Sequence, residues 1–390
     1  MSERLRVLVV PKWYPWPDRP VFGIFCREHA QALATRHDVV VLASLATRRP
    51  PFKAFALEDA VEDGVRTIRV SYRRPFLRPA AMGFQLLGML AALRRLRRDG
   101  WSPDVVHAHV YQAAPPALIL ARLNGAKTAI TEHYTGFQRG LVTGYDRVLA
   151  KRSFERADVV APVSEELAGH LRALAPSARI EVVPNVVDVE AFTPPPAEKA
   201  PGRRLLNVAA LAEKKGHRHL LEALVDIPDA TLDVVGGGEL RTTLERLAAT
   251  LGIADRVRFL GERPKADVAR LMREADLLVL PSLAENLPVV LIEAQASGLP
   301  AVATDVGGVS ELVDDRAGVL VPPADPEALA AAVAATLDRL PGFDPQALAT
   351  RAREHYGYAA ICARWTEIYS ALRSSSAGST RSATTDSSAA

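Results

Sequence analysis

The sequence predicts an α/β protein made of two doubly wound domains that face a cleft. Short apolar runs, of the kind that form strands buried on both faces, alternate with helical patterns along the chain. A proline-rich stretch, T-P-P-P-A-E-K-A-P-G, divides this alternation into two halves. The chain has 390 residues, 48% of them hydrophobic, which is enough apolar material for two cores.

The two halves and their connections define five segments. We expect a first domain at 1–192, a linker at 193–203, a second domain at 204–356, a final amphipathic helix at 357–372 and a disordered tail at 373–390. The tail is predicted to be disordered because its serine, threonine and alanine residues carry no apolar pattern.

Composition excludes several classes of protein. The net charge of +3 is too small to indicate nucleic-acid binding by itself. Cys26 and Cys362 lie far apart and form no metal-binding or disulfide pattern, which favours a reducing compartment. The first apolar run is too short for a signal peptide, and no run reaches the roughly 18 apolar residues that span a bilayer. We therefore expect a cytoplasmic protein, with peripheral membrane contact as an alternative.

The first half begins with a strand, a proline-rich loop and a helix that Gly23 opens and that runs to Ala34. Ser164 is placed to cap a later helix. Strands are predicted at 5–10, 38–43, 66–70, 104–108, 127–131, 158–161 and 179–183.

The segment 73–98 has apolar residues at helical spacing with arginines at both ends. A basic amphipathic segment can lie on an anionic membrane surface. The alternative is an outer helix of the first domain with a solvated basic end. The sequence leaves both interpretations open.

His107 and His109 alternate on a predicted strand and therefore point to the same face. Such a pair resembles half of a metal site, but no third ligand follows at a suitable spacing. We expect these histidines to line a cleft without binding a metal.

The second half repeats the strand and helix alternation. Strands are predicted at 205–209, 231–235, 257–260 and 276–280, and helices at 288–297, 326–339 and 345–355. A glycine turn, G-G-G-E-L, follows the second of these strands, but the third glycine of a dinucleotide fingerprint is replaced by Arg241. A dehydrogenase is therefore disfavoured.

The helix at 288–297 carries the sharpest functional signal. Pro288 suits its first turn and Gly298 suits its left-handed stop. Glu293 lies inside the apolar stripe of this helix, and a buried carboxylate requires a cation or a ligand hydroxyl as partner. Glu285, in the loop after the preceding strand, is placed to face the same crevice at the carboxyl ends of the strands.

These two glutamates, the following S-G-L-P and the stretch A-V-A-T-D-V-G-G-V-S-E-L-V (301–313) resemble the donor-binding signature of retaining nucleotide-sugar glycosyltransferases. The resemblance is to glycosyltransferase family 4, also called glycosyl transferases group 1, and extends from Arg6 to about Leu372. It implies the GT-B fold, with two Rossmann-like domains facing a cleft. It also implies that the first domain binds the acceptor, the second binds the nucleotide sugar, and the last helix crosses back onto the first domain.

The resemblance implies catalytic roles for His133, Glu285 and Lys215. In such enzymes the second glutamate of the pair binds the donor ribose, and the first binds sugar hydroxyls. A lysine and backbone amides at a helix start stabilise the leaving diphosphate. The donor-binding positions that it implies are Glu293, Lys215, Gly23, Asn286, Leu287, Gly307 and Gly308.

Four positions depart from the pattern of the family. Phe22 precedes Gly23, where the family has a glycine pair, so only Gly23 carries over. Ala210 stands where an arginine usually helps to neutralise the diphosphate, and Val186 stands where a glycine is common. Tyr134 follows His133, where a small or acidic residue is frequent. These departures leave open a non-catalytic nucleotide-sugar binder. A sugar phosphorylase or an epimerase on the same architecture is a further alternative.

The implied partners are a UDP- or GDP-sugar donor and a carbohydrate, lipid-linked or small-molecule acceptor, with a growing surface polysaccharide or its lipid carrier ranked first. The resemblance implies retention of the anomeric configuration and no metal or other cofactor, because helix N-termini and basic side chains meet the leaving charge. Nucleic acid is not an expected partner.

Overall fold

A computed structural model of the protein describes residues 4–19, 21–47, 54–73, 78–196 and 202–379. The first half of the chain forms a seven-stranded sheet in the order β3-β4-β2-β1-β5-β6-β7. All neighbouring strands are parallel except β3 and β4. The strands are β1 (Arg6–Pro11), β2 (Asp38–Thr47), β3 (Phe55–Glu62), β4 (Val65–Arg73), β5 (Val105–His109), β6 (Lys127–Glu132) and β7 (Val159–Pro162).

Two details of this sheet differ from the prediction. The edge strand β3 was not predicted, because its sequence F-A-L-E-D-A-V-E is polar and only partly buried. The segment 179–183 was predicted as a strand, but it makes only a single bridge, from Ile180 to Val160. Pro184 follows it directly and lacks the N–H that a longer ladder requires.

The second half forms a six-stranded parallel sheet in the order β10-β9-β8-β11-β12-β13. Two of its interior strands, Leu277–Leu280 and Ala301–Thr304, consist almost wholly of leucine, valine and alanine, as expected where helices cover both faces. The strands are β8 (Arg204–Val208), β9 (Thr231–Val235), β10 (Val257–Gly261), β11 (Leu277–Leu280), β12 (Ala301–Thr304) and β13 (Gly318–Val321).

Ser164 caps the helix Glu165–Leu174 as predicted, because its hydroxyl accepts a hydrogen bond from the amide of Leu167. Twelve α-helices are found in the described residues. They are α1 (Ile24–Ala34), α2 (Arg78–Arg98), α3 (Ala114–Asn124), α4 (Gly144–Arg156), α5 (Glu165–Leu174), α6 (His217–Val225), α7 (Arg241–Thr250), α8 (Lys265–Glu274), α9 (Val289–Ala296), α10 (Pro326–Asp338), α11 (Pro345–Tyr356) and α12 (Tyr358–Ser379). No helix of the described chain is long and apolar enough to cross a bilayer.

The last helix, α12, returns to the first domain. Trp365 and Tyr369 are fully buried in a core formed with the strands of the first sheet and with α1. Where the chain crosses over, Val187 forms a parallel bridge with Gly357. The helix continues to Ser379, so the prediction of disorder from Arg373 onward is wrong for its first residues, because an established helix extends readily through serine and alanine. Residues 380–390 lie outside the described residues.

The basic segment forms the outer helix α2. Two of its arginines make contacts within the protein, Arg95 with Asp59 and Arg97 with the carbonyl of Leu123. Residues 74–77, at the start of the predicted segment, lie outside the described residues. The basic end of α2 is therefore partly engaged by the first domain itself.

Candidate active site

A cavity of about 1080 Å³ lies between the two domains, at the carboxyl ends of both sheets, where open α/β sheets bind ligands. Its first-domain wall includes Trp13, Phe25, Glu28, His133, Tyr134 and Asn185. Its second-domain wall includes Ala210, Lys214, Lys215, Arg263, Lys265, Glu285, Asn286, Leu287 and Glu293. Six of the sequence-predicted site residues therefore line one cavity.

Glu293 extends from α9, which begins after Pro288 and ends before Gly298, as predicted. Its carboxyl group lines the cavity and makes no hydrogen bond or ion pair to any described residue. Burial, with a smaller contribution from the nearby Glu28, raises the pKa of Glu293 to about 8, and Lys265 opposes this shift. No described residue therefore supplies the partner that this carboxylate requires, as expected if a ligand supplies it.

Glu285 is buried and makes two contacts. Its Oε1 accepts from the Lys215 ammonium at 2.5 Å and from the Ser282 hydroxyl at 2.7 Å. Lys215 ends a short 3₁₀ turn, Glu213–Lys215, which follows β8 and precedes the left-handed Gly216. The two chemical groups predicted to bind the sugar and the diphosphate thus form an ion pair in the cavity wall.

Asn286 and Leu287 connect the two domains. The Asn286 side-chain amide donates to the carbonyl oxygen of His133 at 2.6 Å. In the opposite direction, the Asn185 side-chain amide donates to the carbonyl oxygen of Leu287 at 2.6 Å. This reciprocal pair joins the loop after β11 to the first-domain wall.

His133 follows the end of β6 and lies within a hydrogen-bond chain. Because the Asn185 amide nitrogen donates to Leu287, its oxygen accepts from His133 Nδ1 at 3.1 Å. The unprotonated Nε2 of His133 then accepts from Nδ1 of His109 at 3.0 Å. Burial lowers the pKa of His133 to about 4, while the Asn185 hydrogen bond raises it slightly. The ring is therefore neutral and fixed in one tautomer.

The prediction that His107 and His109 line the cleft is wrong. Both rings are fully buried behind His133, because the sheet face to which they point is covered by α1 and α12. His107 is held between the Tyr369 hydroxyl at 2.6 Å and the Thr131 hydroxyl at 2.7 Å. Burial lowers the pKa of both histidines well below 6.5, so they are neutral core groups.

The sequence spacing indicates no third metal ligand for these histidines, but the fold brings other potential ligands close to them. His29, on α1, packs edge-on against both rings with centroids 5.1 and 4.6 Å away. Two groups of three side chains bring potential ligand atoms within 4.8 Å of one another: His29, His107 and His109, and Cys26, His109 and His133. Both nitrogens of His107 and of His133 are already hydrogen-bonded, so metal binding at either group requires breaking those bonds.

The predicted glycines lie beside the cavity, not in its lining. Gly23 has φ 72°, and a β-carbon there would lie 2.4 Å from the backbone of Trp13. Gly307 has φ 58°, and its β-carbon would overlap the carbonyl oxygen of Glu285. Both glycines thus let loops approach each other closely at the cleft. The expectation of free amides at the helix start is wrong for Gly308, whose N–H donates to the carbonyl oxygen of Asn286 at 2.7 Å.

Sequence reasoning missed several groups. Glu132, the residue before His133, is fully buried and accepts from three backbone amides, and burial raises its pKa to about 7. Lys265 forms an ion pair with the buried Glu28 across the cleft. The only sequence signal for these groups is charge at the ends of apolar elements, which does not identify a partner in the other domain.

Comparisons with known proteins agree with this architecture. The family model for glycosyltransferase family 4 matches residues 23–191, and the model for glycosyl transferases group 1 matches residues 188–354. The chain is 30% identical over 378 residues to glycogen synthase of Mycobacterium tuberculosis, covering 90% of this chain and 89% of the relative. It is also 30% identical over 397 residues to D-inositol 3-phosphate glycosyltransferase of Corynebacterium urealyticum, covering 90% of each.

Among solved structures, sucrose-phosphate synthase of Thermosynechococcus elongatus is similar, with a TM-score of 0.78, 21% identity, and coverage of 95% of this chain and 100% of that one. This likeness establishes the two-domain GT-B fold. The phosphorylase, epimerase and non-catalytic alternatives find no support in these matches. The protein is a transferase that moves a sugar from a nucleotide-sugar donor in glycan biosynthesis, and it belongs to the GT-B glycosyltransferases of family 4 and group 1.

Proposed function

We propose that the protein is a retaining glycosyltransferase in which Glu293 binds the ribose hydroxyls of the donor. The observation that supports this most is the state of Glu293, which faces the cleft without a protein partner and has a pKa raised to about 8 by burial. Hydroxyl donors from a ribose satisfy the lone pairs of this carboxylate and favour its charged form.

The ion pair of Lys215 and Glu285 serves the reacting end of the donor. Glu285 accepts from sugar hydroxyls, while Lys215 stabilises the negative charge that grows on the leaving diphosphate. A preorganised cation in a partly dry cleft supplies this stabilisation from the chain's own side chains. The proposal therefore includes no bound metal or other cofactor.

The first-domain wall binds the acceptor. Trp13 lies edge-on to Phe25 and tilted to Tyr134, with ring centroids 6.3 and 5.9 Å apart, so three aromatic rings form a continuous apolar surface. Such rings suit the apolar faces of a carbohydrate. We infer a carbohydrate acceptor, either free or carried on a lipid of a growing surface polysaccharide, with a small molecule as the less favoured choice.

The donor is proposed to be a UDP- or GDP-sugar.

The protein is proposed to work in the cytoplasm, with peripheral membrane contact through the exposed basic face of α2. Arg94 and Arg98 are exposed and make no ion pair among the described residues, so they carry this second proposal. Cosedimentation with vesicles of anionic and of neutral lipid tests it, and equal sedimentation of wild type and an Arg94→Glu/Arg98→Glu variant with anionic vesicles contradicts it.

The main test compares Glu293→Ala and Glu293→Gln with the wild type. We expect both variants to keep the thermal unfolding temperature and to lose transfer, with donor affinity falling about 100-fold because two charge-assisted hydrogen bonds are lost. Titration calorimetry with a panel of sugar nucleotides measures the affinity, and NMR of the product measures the anomeric configuration.

A matched control is Glu327→Gln, which changes a glutamate at the exposed start of α10, far from the cleft. Near-normal transfer by Glu293→Ala contradicts the assignment of Glu293. An inverted anomeric configuration in the product contradicts the retaining mechanism and leaves the binding role intact.

A further inference from the structure

Two adjacent lysines line the cavity on the 3₁₀ turn after β8, and they differ in their partners. The Lys215 ammonium is paired with Glu285 at 2.5 Å. The Lys214 ammonium makes no hydrogen bond or ion pair within the described part of the chain, although its backbone carbonyl accepts from the amide of Leu283. Lys214 is therefore a cation that faces the cleft and has no counter-ion among the described residues.

A nearby position on the same wall is uncharged. Ala210, just past the end of β8, lines the same cavity and carries no charge. A diphosphate in an ester carries about two negative charges, and the charge of Lys215 is already balanced by Glu285. The leaving group therefore needs positive charge beyond that of Lys215 to be neutralised.

The surroundings of Lys214 favour an anion. Burial and the adjacent Lys215 lower the pKa of Lys214, and Arg139 from the first domain lowers it further, whereas Glu285 opposes them. The charged neighbours that act on Lys214 are thus two cations and one carboxylate. A partly desolvated cation in such a group is unfavourable until an anion enters the cleft.

We propose that Lys214 binds the diphosphate of the donor, as the second cation in place of an arginine at position 210. This inference rests on the proposed function, since it requires the cleft to bind a nucleotide sugar. The two lysines of one short turn then hold the diphosphate from the second domain. Unlike an arginine fork, two ammonium groups act as point charges and impose little orientation on the phosphates.

The experiment measures binding of UDP, GDP and ADP, and of the matching nucleosides, to the full chain by titration calorimetry. We expect Lys214→Ala to weaken binding of the preferred nucleoside diphosphate about 10- to 100-fold, the range for loss of one charge-assisted contact, and to leave nucleoside binding unchanged. In the Lys214→Ala background, Ala210→Arg is expected to restore most of the lost affinity, because it returns a cation to the same cavity. Lys151→Ala, an exposed lysine on α4, is the matched control and is expected to bind as the wild type does.

The outcomes separate this inference from the proposed function. If the wild type binds a nucleoside diphosphate and Lys214→Ala binds it equally well, the role of Lys214 is overturned and the proposed function stands. An equal loss of nucleoside binding in Lys214→Ala also overturns it, because the effect is then not specific to phosphate. If the wild type binds none of the nucleotides or their sugar derivatives, the proposed function itself fails.

Discussion

The two walls of the cleft differ in how their polar groups are satisfied. On the first-domain wall, His133 has both ring nitrogens hydrogen-bonded, to Asn185 and to His109. On the second-domain wall, Glu293 and Lys214 have no partner among the residues that the structure describes. The histidine of one wall is satisfied in the absence of a ligand, and the other wall carries ionisable groups that a ligand can satisfy.

This difference indicates that the two walls have different roles, one in donor affinity and the other in positioning the reacting groups. Unsatisfied, partly buried ionisable groups destabilise the free protein, and a ligand that satisfies them recovers that free energy on binding, so we expect donor affinity to arise mainly on the second wall. A fully hydrogen-bonded wall contributes fixed geometry, which accelerates a reaction without requiring tight binding. Each of the following predictions tests this division, and they are ordered by expected effect.

The largest effect is expected from His133→Ala. We expect turnover to fall about 100-fold, a typical loss for removing a positioned polar group beside the reacting atoms, while donor affinity stays within threefold of the wild type. Rate assays measure the turnover, and calorimetry on the same preparation measures the donor affinity. His170→Ala, on the exposed face of α5, is the control. A loss of donor affinity as large as that of Glu293→Gln contradicts the division between the walls.

Tyr369→Phe tests whether the buried contact between Tyr369 and His107, behind the first-domain wall, contributes to stability and not to donor binding. The variant removes the hydroxyl that contacts His107 Nδ1 at 2.6 Å and leaves a buried nitrogen without a partner. We expect the free energy of unfolding in urea to fall by about 1–3 kcal/mol, with donor affinity unchanged. Tyr358→Phe is the control, because the Tyr358 hydroxyl donates to Gln31 in a partly exposed position. We expect this variant to lower the free energy of unfolding by less. An unchanged free energy of unfolding in Tyr369→Phe contradicts this prediction.

The smallest effect is a pH dependence of donor binding. Since the pKa of Glu293 is raised to about 8, the free protein holds a proton there between about pH 4.5 and 8. Ribose hydroxyls favour the charged carboxylate, so binding releases this proton, and donor affinity rises by up to about tenfold per pH unit until pH 8. By the same linkage, stability without donor falls as pH rises through this window, because the folded state binds the extra proton.

Calorimetry at pH 7 in buffers of different ionisation enthalpy measures the proton release. Glu293→Gln is expected to abolish it. Glu132, with a pKa raised to about 7, lies outside the cavity lining, so Glu132→Gln is the control that is expected to keep the release. A donor affinity that stays constant from pH 6.5 to 8.5 excludes the coupling.

The sequence predicted much of the second wall and less of the first. The strand at 276–280, the loop with Glu285 and the helix with Glu293 are close in the chain, so local patterns place them together. Their position at the carboxyl end of a parallel sheet follows from the fold class alone. The GT-B architecture was predicted and is confirmed by the comparisons.

The first wall depends on contacts that no local pattern encodes. His29 and Trp365 meet the histidines of β5 only because α1 and α12, far apart in sequence, cover the same face of the sheet. The hydrogen bond from Asn286 to His133 spans two domains. Strand β3 was missed because a half-exposed edge strand has no continuous apolar run.

The bridge between Val187 and Gly357 has a mechanical consequence. The chain passes from one domain to the other twice, and these two passages lie side by side, joined by the hydrogen bond from the Val187 amide to the Tyr356 carbonyl at 2.9 Å. We expect these two adjacent passages to act as a hinge, so that the domains open and close by rotation about that line. Substrate entry and product release are then expected to depend on the same rotation.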